Sequence, residues 1–177
     1  MAIERRLGAS EINILVVQTN LAITYEELGR LEEALLLMRD VYSARLRLDG
    51  EESDTTLKAA NNYASSLNNL RRFEEAKSLL RRMMPVARRI LGDCHGSTLR
   101  MRWTYGRALY FAREDATLDD LREAVTTLED TVRIARRVLG GAHPLTEGIE
   151  RDLQNAQAAL AAREIEPLRE AVGAMGV

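Results

Sequence analysis

Cys94, His95 and His143 are the residues of this sequence best suited to chemistry, because a thiol beside an imidazole can form a nucleophile–base pair or part of a metal site. Both histidines stand three residues after a glycine, Gly92 or Gly140, that closes a helix-like segment. This recurrence predicts a role in a repeated loop. A single neighbouring Cys–His pair is also a weak sign of catalysis.

Other catalytic signatures are absent from the sequence. It contains no glycine-rich phosphate loop, no nucleophile elbow and no His-Glu-x-x-His pair. Most paired carboxylates, such as Glu32-Glu33, Glu74-Glu75 and Asp119-Asp120, fall at expected helix starts, where negative charge interacts favourably with the helix dipole. We therefore expect a protein that is not an enzyme, with no catalytic residue, no metal and no cofactor.

Composition excludes further classes of partner. The 177 residues include 25 Lys and Arg against 27 Asp and Glu, and this balance lacks the positive charge of a nucleic-acid-binding surface. Apolar runs such as residues 14–17 are far shorter than the ~20 residues of a membrane span. With a single cysteine and no signal-peptide core, the chain is predicted to be cytoplasmic, with no nucleic acid or membrane partner.

The elements that carry these residues are organised by an internal repeat. Gly8, Gly50 and Gly92 are 42 residues apart, each after an Arg/Leu-rich segment, as expected where glycine closes a helix. The same shift carries residues 20–22 onto 62–64 and residues 30–34 onto 72–76. A third unit ends at Gly140, so its period is 48 residues and six residues are inserted near 112–121.

Apolar residues follow a helical period in each unit, which predicts a helical hairpin. Ala, Leu, Arg and Glu dominate the chain, and only three prolines interrupt it. An isolated hairpin cannot bury its apolar stripe, so we expect an all-α, right-handed solenoid of stacked antiparallel hairpins. Helices are predicted near residues 11–28, 31–48, 54–70, 73–91, 97–112, 118–139 and 145–162.

The repeat also predicts how the chain is divided. The expected segments are a remnant of a preceding repeat or a lead-in (1–10), repeat 1 (11–52), repeat 2 (53–94), repeat 3 with its insertion (95–142), a C-terminal cap helix (143–162) and a tail or short helix (163–177). The chain is read as a possible fragment of a longer array.

Small residues at Ala22, Ala64 and Gly106, together with alanines at equivalent places of the second helices, resemble the signature of tetratricopeptide repeats. The 42-residue period and the segments 56–64 and 136–146 resemble the kinesin-light-chain-like subtype. This resemblance implies a solenoid that works as an adaptor or scaffold through protein binding.

The resemblance also implies which residues line the concave face, since family geometry assigns five positions of each first helix to it. In repeats 2 and 3 and the cap helix these positions hold the candidate peptide-binding residues Lys58, Asn61, Ser65, Asn68, Asn69, Arg100, Trp103, Arg107, Tyr110 and Arg151. The mapping also places Thr19, Ile23, Glu26, Glu27, Phe111 and Asn155 there.

These residue types favour an extended, acidic peptide as the ligand. Asn side chains can donate to and accept from a peptide backbone, Arg can pair with carboxylates, and Trp and Tyr can anchor an interface. Packing of Trp103 against a neighbouring helix is the competing interpretation of that residue. The alternative function is self-assembly, with homo-oligomers formed through apolar solenoid ends such as residues 12–17 or the C-terminal segment.

Overall fold

Seven α-helices and no strand make up the part of the chain described by the computed structural model, residues 2–112 and 115–174. Side chains are described for residues 11–112 and 115–165. The helices are α1 (Ala2–Glu27), α2 (Leu31–Asp49), α3 (Asp54–Asn69), α4 (Phe73–Leu91), α5 (Gly96–Phe111), α6 (Leu118–Leu139) and α7 (Pro144–Ala174). Within these described ranges, no helix is apolar over a length that could cross a bilayer.

Each helix packs against the next one along the chain, which gives three antiparallel hairpins followed by α7. The first helix α5 also contacts the first helices α3 and α7 directly. No comparable set of contacts joins the second helices α2, α4 and α6 in the described ranges, so the face formed by α3, α5 and α7 is the concave one. The predicted all-α solenoid is confirmed.

Residues with positive φ end the helices where the repeat predicts. Gly50, Gly92 and Gly140, with φ of +79°, +83° and +89°, close α2, α4 and α6. Glycine adopts such angles without the clash that a Cβ would cause. Within the hairpins, Gly29 and Arg71 take the same role with φ of +74° and +60°.

The six inserted residues are shared between a connection and a helix. The α5–α6 connection, residues 112–117, is three residues longer than the connections 28–30 and 70–72, and α6 is three residues longer than α2 or α4. Thr117 and Asp120 form a capping box, in which the Asp120 N–H donates to Thr117 Oγ1 at 3.0 Å. Buried Lys77 of α4 donates to Asp120 Oδ1 at 3.2 Å, so the start of α6 is tied to the preceding unit.

Both outer helices are longer than predicted. α1 runs through Gly8, so the prediction of a helix-closing turn at that glycine is wrong. A single glycine inside a helix costs only about 1 kcal/mol, and residues 2–7 and 9–10 continue the helix on either side. α7 likewise continues past residue 162 to Ala174, because alanines between 156 and 162 favour helix and no glycine follows until Gly173.

Candidate functional site

The predicted groove residues of α3 and α5 form two rows, set by the 3.6-residue period of the helix. One row faces the next first helix and is called the packing row; it consists of Asn61, Asn68, Trp103 and Tyr110. The other row follows the concave surface and is called the open row; it consists of Lys58, Ser65, Asn69, Arg100, Arg107 and Phe111. Arg151, on the last described helix α7, is exposed.

The packing row of α3 joins α3 to α5 through two amides. Asn61 Oδ1 accepts a hydrogen bond from Thr104 Oγ1 at 2.9 Å. Asn68, which is buried, donates from Nδ2 to the Thr104 carbonyl oxygen at 3.0 Å. Both amides therefore hold two first helices together. Asn68 Oδ1 is buried and has no hydrogen-bond partner among the described residues.

The packing row of α5 joins α5 to α7 through one buried carboxylate, that of Asp152. Trp103 Nε1 donates to Asp152 Oδ2 at 2.6 Å, and the Tyr110 hydroxyl donates to Oδ1 at 2.7 Å. The Trp103 ring lies against the backbone of Gly148, where a Cβ would be 2.8 Å from the ring. Burial and the bond to Asp152 raise the pKa of Tyr110 above its ordinary value. Trp103 thus packs against a neighbouring helix, as the competing interpretation of the sequence has it.

Thr104 and Asp152 occupy the same position of successive first helices, 48 residues apart. Neither residue was among the predicted ones, because both lie outside the positions that family geometry assigns to the groove. The repeat alone could have pointed to Asp152. Asp152 carries a carboxylate at a position where the preceding units carry the uncharged Asn62 and Thr104.

Arg107 is the most constrained cation of the open row. Its guanidinium carbon is 4.8 Å from the centroid of the Phe111 ring and 5.9 Å from that of Trp103, within cation–π range. Its Nε is 3.6 Å from Asp152 Oδ2, an ion pair without a hydrogen bond. The side chain is 27% exposed, so part of the guanidinium reaches the surface. A carboxylate at that surface would meet a cation already held in place by two rings.

Two further arginines on the concave side are exposed, Arg100 on α5 and Arg151 on α7. Neither has an ion-pair or hydrogen-bond partner in the described part of the chain. Lys58 is exposed and pairs with Asp54 of its own helix, with Nζ 2.6 Å from Oδ2.

Charge changes along the concave side toward its N-terminal end. There the equivalent positions of α1 carry Glu26, which accepts from Ser66 Oγ at 2.5 Å, and the exposed Glu27. Ser65 is half-buried and Asn69 is exposed, and both lie between this acidic end and the arginines of α5 and α7.

The two histidines cap helices. His95 Nδ1 accepts from the Ser97 N–H at 3.2 Å at the start of α5, and His143 Nδ1 accepts from the Leu145 N–H at 3.1 Å at the start of α7. A side-chain acceptor at this place satisfies a backbone donor that has no partner within the helix. Cys94 is exposed, and its Sγ lies 3.6 Å from Arg137 Nη2. This geometry agrees with the predicted loop role of the histidines.

Comparisons with known proteins agree with this architecture. The family model described as "Tetratricopeptide repeat" matches residues 14–53, 56–95 and 112–145. The crystal structure of a Podosopora anserina protein, described as a kinesin light chain with nearly identical TPR-like repeats, is 25% identical in sequence and superposes with a TM-score of 0.72. That match covers 92% of this chain and 76% of the other.

A second solved structure shows the same fold at lower identity. BtubC (BKLC) from P. vanneervenii is 20% identical, with a TM-score of 0.62 over 90% of this chain and 64% of the other. A search of the curated proteins finds no significant match. The resemblance to kinesin-light-chain-like repeats, inferred from the sequence, is confirmed.

Proposed function

Because the chain belongs to the tetratricopeptide repeat family, whose repeats generally mediate protein–protein interactions, we propose that it is a non-catalytic adaptor that binds an extended, acidic peptide. The binding surface is the concave face of α3, α5 and α7, and the ligand contacts the open row together with Arg151. The packing row supports this surface from beneath.

One observation carries the proposal: Arg100 of α5 and Arg151 of the adjacent helix α7 are exposed on the concave side without an ion-pair or hydrogen-bond partner among the described residues. Elsewhere on the surface, most described arginines pair with an acid of the chain itself, such as Arg89 with Glu52 at 2.7 Å. Unpaired arginines form strong, charge-assisted hydrogen bonds with carboxylates, in many cases through two parallel N–H donors.

The proposed contacts differ along the groove. Arg107, fixed between the Trp103 and Phe111 rings, takes a carboxylate at low entropic cost because its side chain is already ordered. Ser65 and Asn69 bond to the peptide backbone. Glu27 repels acidic side chains at the other end, so the acidic part of the ligand lies over α5 and α7.

The test is a peptide-array screen of the full chain against random and acid-enriched peptides, at low and at physiological salt. We expect selection of an acidic motif that weakens as salt rises, because salt screens exposed charges. Arg100→Glu combined with Arg151→Glu should weaken the selected peptide by at least about tenfold, equivalent to about 1.4 kcal/mol.

The matched control is Arg39→Glu combined with Arg133→Glu. These arginines are exposed on the second helices α2 and α6, and the pair of changes alters net charge by the same amount. The control should bind like the wild type. Equal loss in both double variants would reduce the effect to net charge, and selection of neutral peptides by the wild type would refute the acidic ligand.

A further inference from the structure

Four large apolar side chains are exposed along one side of α1 and the turn after it. Ile14 is 53% exposed, Val17 64%, Leu21 40% and Leu28 67%. Ile14, Val17 and Leu21 lie on one stripe of the helix, since their spacings of 3 and 4 residues bring them to the same side, and Leu28 follows in the turn. We call Ile14, Val17, Leu21 and Leu28 the α1 stripe.

The repeat indicates which element packs against the positions of the α1 stripe in the other units. The equivalent residues 42 positions later are Thr56, Ala59, Tyr63 and Leu70, and two of them contact the preceding second helix, α2. Thr56 Oγ1 donates to the Arg45 carbonyl oxygen at 3.1 Å, and the Tyr63 ring stacks on Tyr42 with centroids 6.0 Å apart.

The same positions of the third unit are covered as well. They hold Thr98, Met101, Tyr105 and Ala112, all of which are buried. Tyr105 reaches Arg81 of the preceding second helix α4, whose Nε donates to its hydroxyl at 2.7 Å. The α1 stripe is therefore a helix-packing face that no described residue covers.

The opposite end of the solenoid does not match this face. On α5, Leu99, Gly106 and Leu109 are buried, and Gly106 lies against Leu128 of α6. The equivalent residues of α7, 48 positions later, are Glu147, Gln154 and Gln157, and all three are exposed. A polar face of this kind closes a repeat array against solvent. Head-to-tail stacking of two copies would bury these polar groups against the α1 stripe, at a cost in free energy.

The α1 stripe does match a second α1 stripe. Residues 12–25 include no Asp, Glu, Lys or Arg, so two copies of the helix can approach without repulsion between like charges. Asn13, Asn20 and Thr24, beside the stripe, can donate and accept across such an interface. Self-complementarity of one face is the condition for a two-fold dimer.

We propose that two copies of this chain pair through their α1 stripes, antiparallel about a two-fold axis. Each α1 then covers the α1 stripe of the other copy, as α2 covers the equivalent face of α3 and α4 covers that of α5. The concave rows stay free, so this pairing does not depend on the peptide-binding proposal.

Sedimentation velocity of the full chain over a range of concentrations tests the pairing. We expect the wild type to reach twice the monomer mass, with Val17→Glu weakening the dimer by about 100-fold or more, because each interface would bury two glutamates. Val17 is exposed in the single chain, so the variant should keep the helical circular dichroism of the wild type. The control Val138→Glu, at a 45% exposed valine of α6, should dimerise normally.

The two-fold arrangement has its own measurement. Leu21 lies within the stripe, so Leu21→Cys in a Cys94→Ser background should form a disulfide between copies on mild oxidation, whereas Val138→Cys in the same background should not. A wild type that is monomeric at all concentrations overturns the proposal. A dimer that is unaffected by Val17→Glu overturns it equally, because its interface would lie elsewhere.

Discussion

Tyr105 and Tyr110 are buried phenols whose hydroxyls bond to carboxylates of other helices. Tyr105 donates to Glu123 Oε1 of α6 at 2.6 Å, and Tyr110 donates to Asp152 of α7. Burial, and then the bond to Glu123, raise the pKa of Tyr105 to about 12. Burial and Asp152 raise the pKa of Tyr110 as well. Both side chains therefore stabilise the fold only in their neutral form.

This arrangement predicts loss of stability in alkali. Both folded pKa values lie above the unfolded value of about 10, so the stabilisation is complete below pH 10 and falls as the pH rises toward 12. Titration followed by phenolate absorbance should show Tyr105 and Tyr110 ionising in a late step above about pH 10, together with loss of helical circular dichroism. Tyr110→Phe should reduce the late step. Ionisation of Tyr105 and Tyr110 near pH 10, with the helices intact, would contradict the assigned hydrogen bonds.

At the level of helices, α5 and α6 pack closely at Gly106. A Cβ built on this glycine would lie 2.7 Å from Cγ of Leu128, a side chain with no exposed surface. Gly106 takes the place of Ala22 and Ala64 of the earlier units. The third hairpin is therefore packed too tightly for even a methyl group at this point.

Gly106→Ala should therefore destabilise the protein, although alanine is the better helix former. Helix propensity favours the change by about 1 kcal/mol, and overpacking opposes it by about 1–3 kcal/mol, which leaves a net loss of up to about 2 kcal/mol. Urea denaturation measures the difference. Gly96→Ala on the same helix is the control, because no atom lies within 4 Å of its added Cβ, and this change should be neutral or slightly stabilising. Equal effects of the two changes would refute the steric argument.

The repeat explains why the inner helices could be predicted and the outer ones could not. Helices α2 to α6 lie between glycines or turns that recur at a fixed period. At Gly8 and at residue 162 no described neighbouring unit packs against the chain, so the repeat does not fix a helix end there. For the candidate site, the repeat predicts one face of each first helix. It could not separate Arg100, which is open, from Tyr110, which packs on α7, because that depends on the angle between successive helices.

Across the whole molecule, stability is expected to decrease toward the N-terminal end. In a solenoid each element is stabilised mainly by its nearest neighbours, and the described part of α1 packs principally on α2, with Leu15 and Ala22 buried. α5 is enclosed by α3, α4, α6 and α7. Amide hydrogen exchange at dilute concentration should therefore be fastest in α1 and slowest in α5. Uniform protection of all seven helices would contradict this gradient and indicate unfolding in a single step.

The junctions between first helices also fix the order of the units. Asn61 and Asn68 meet Thr104, whereas Trp103 and Tyr110, both donors, require the two carboxylate oxygens of Asp152. If the second and third units exchanged places, the two aromatic donors would face Asn62, whose single amide oxygen cannot serve both as the carboxylate does. The order of the units in this chain is thus specified by the hydrogen bonds at their junctions as well as by covalent connection. A unit moved to another place in the array would keep junction residues that fit only its original neighbour.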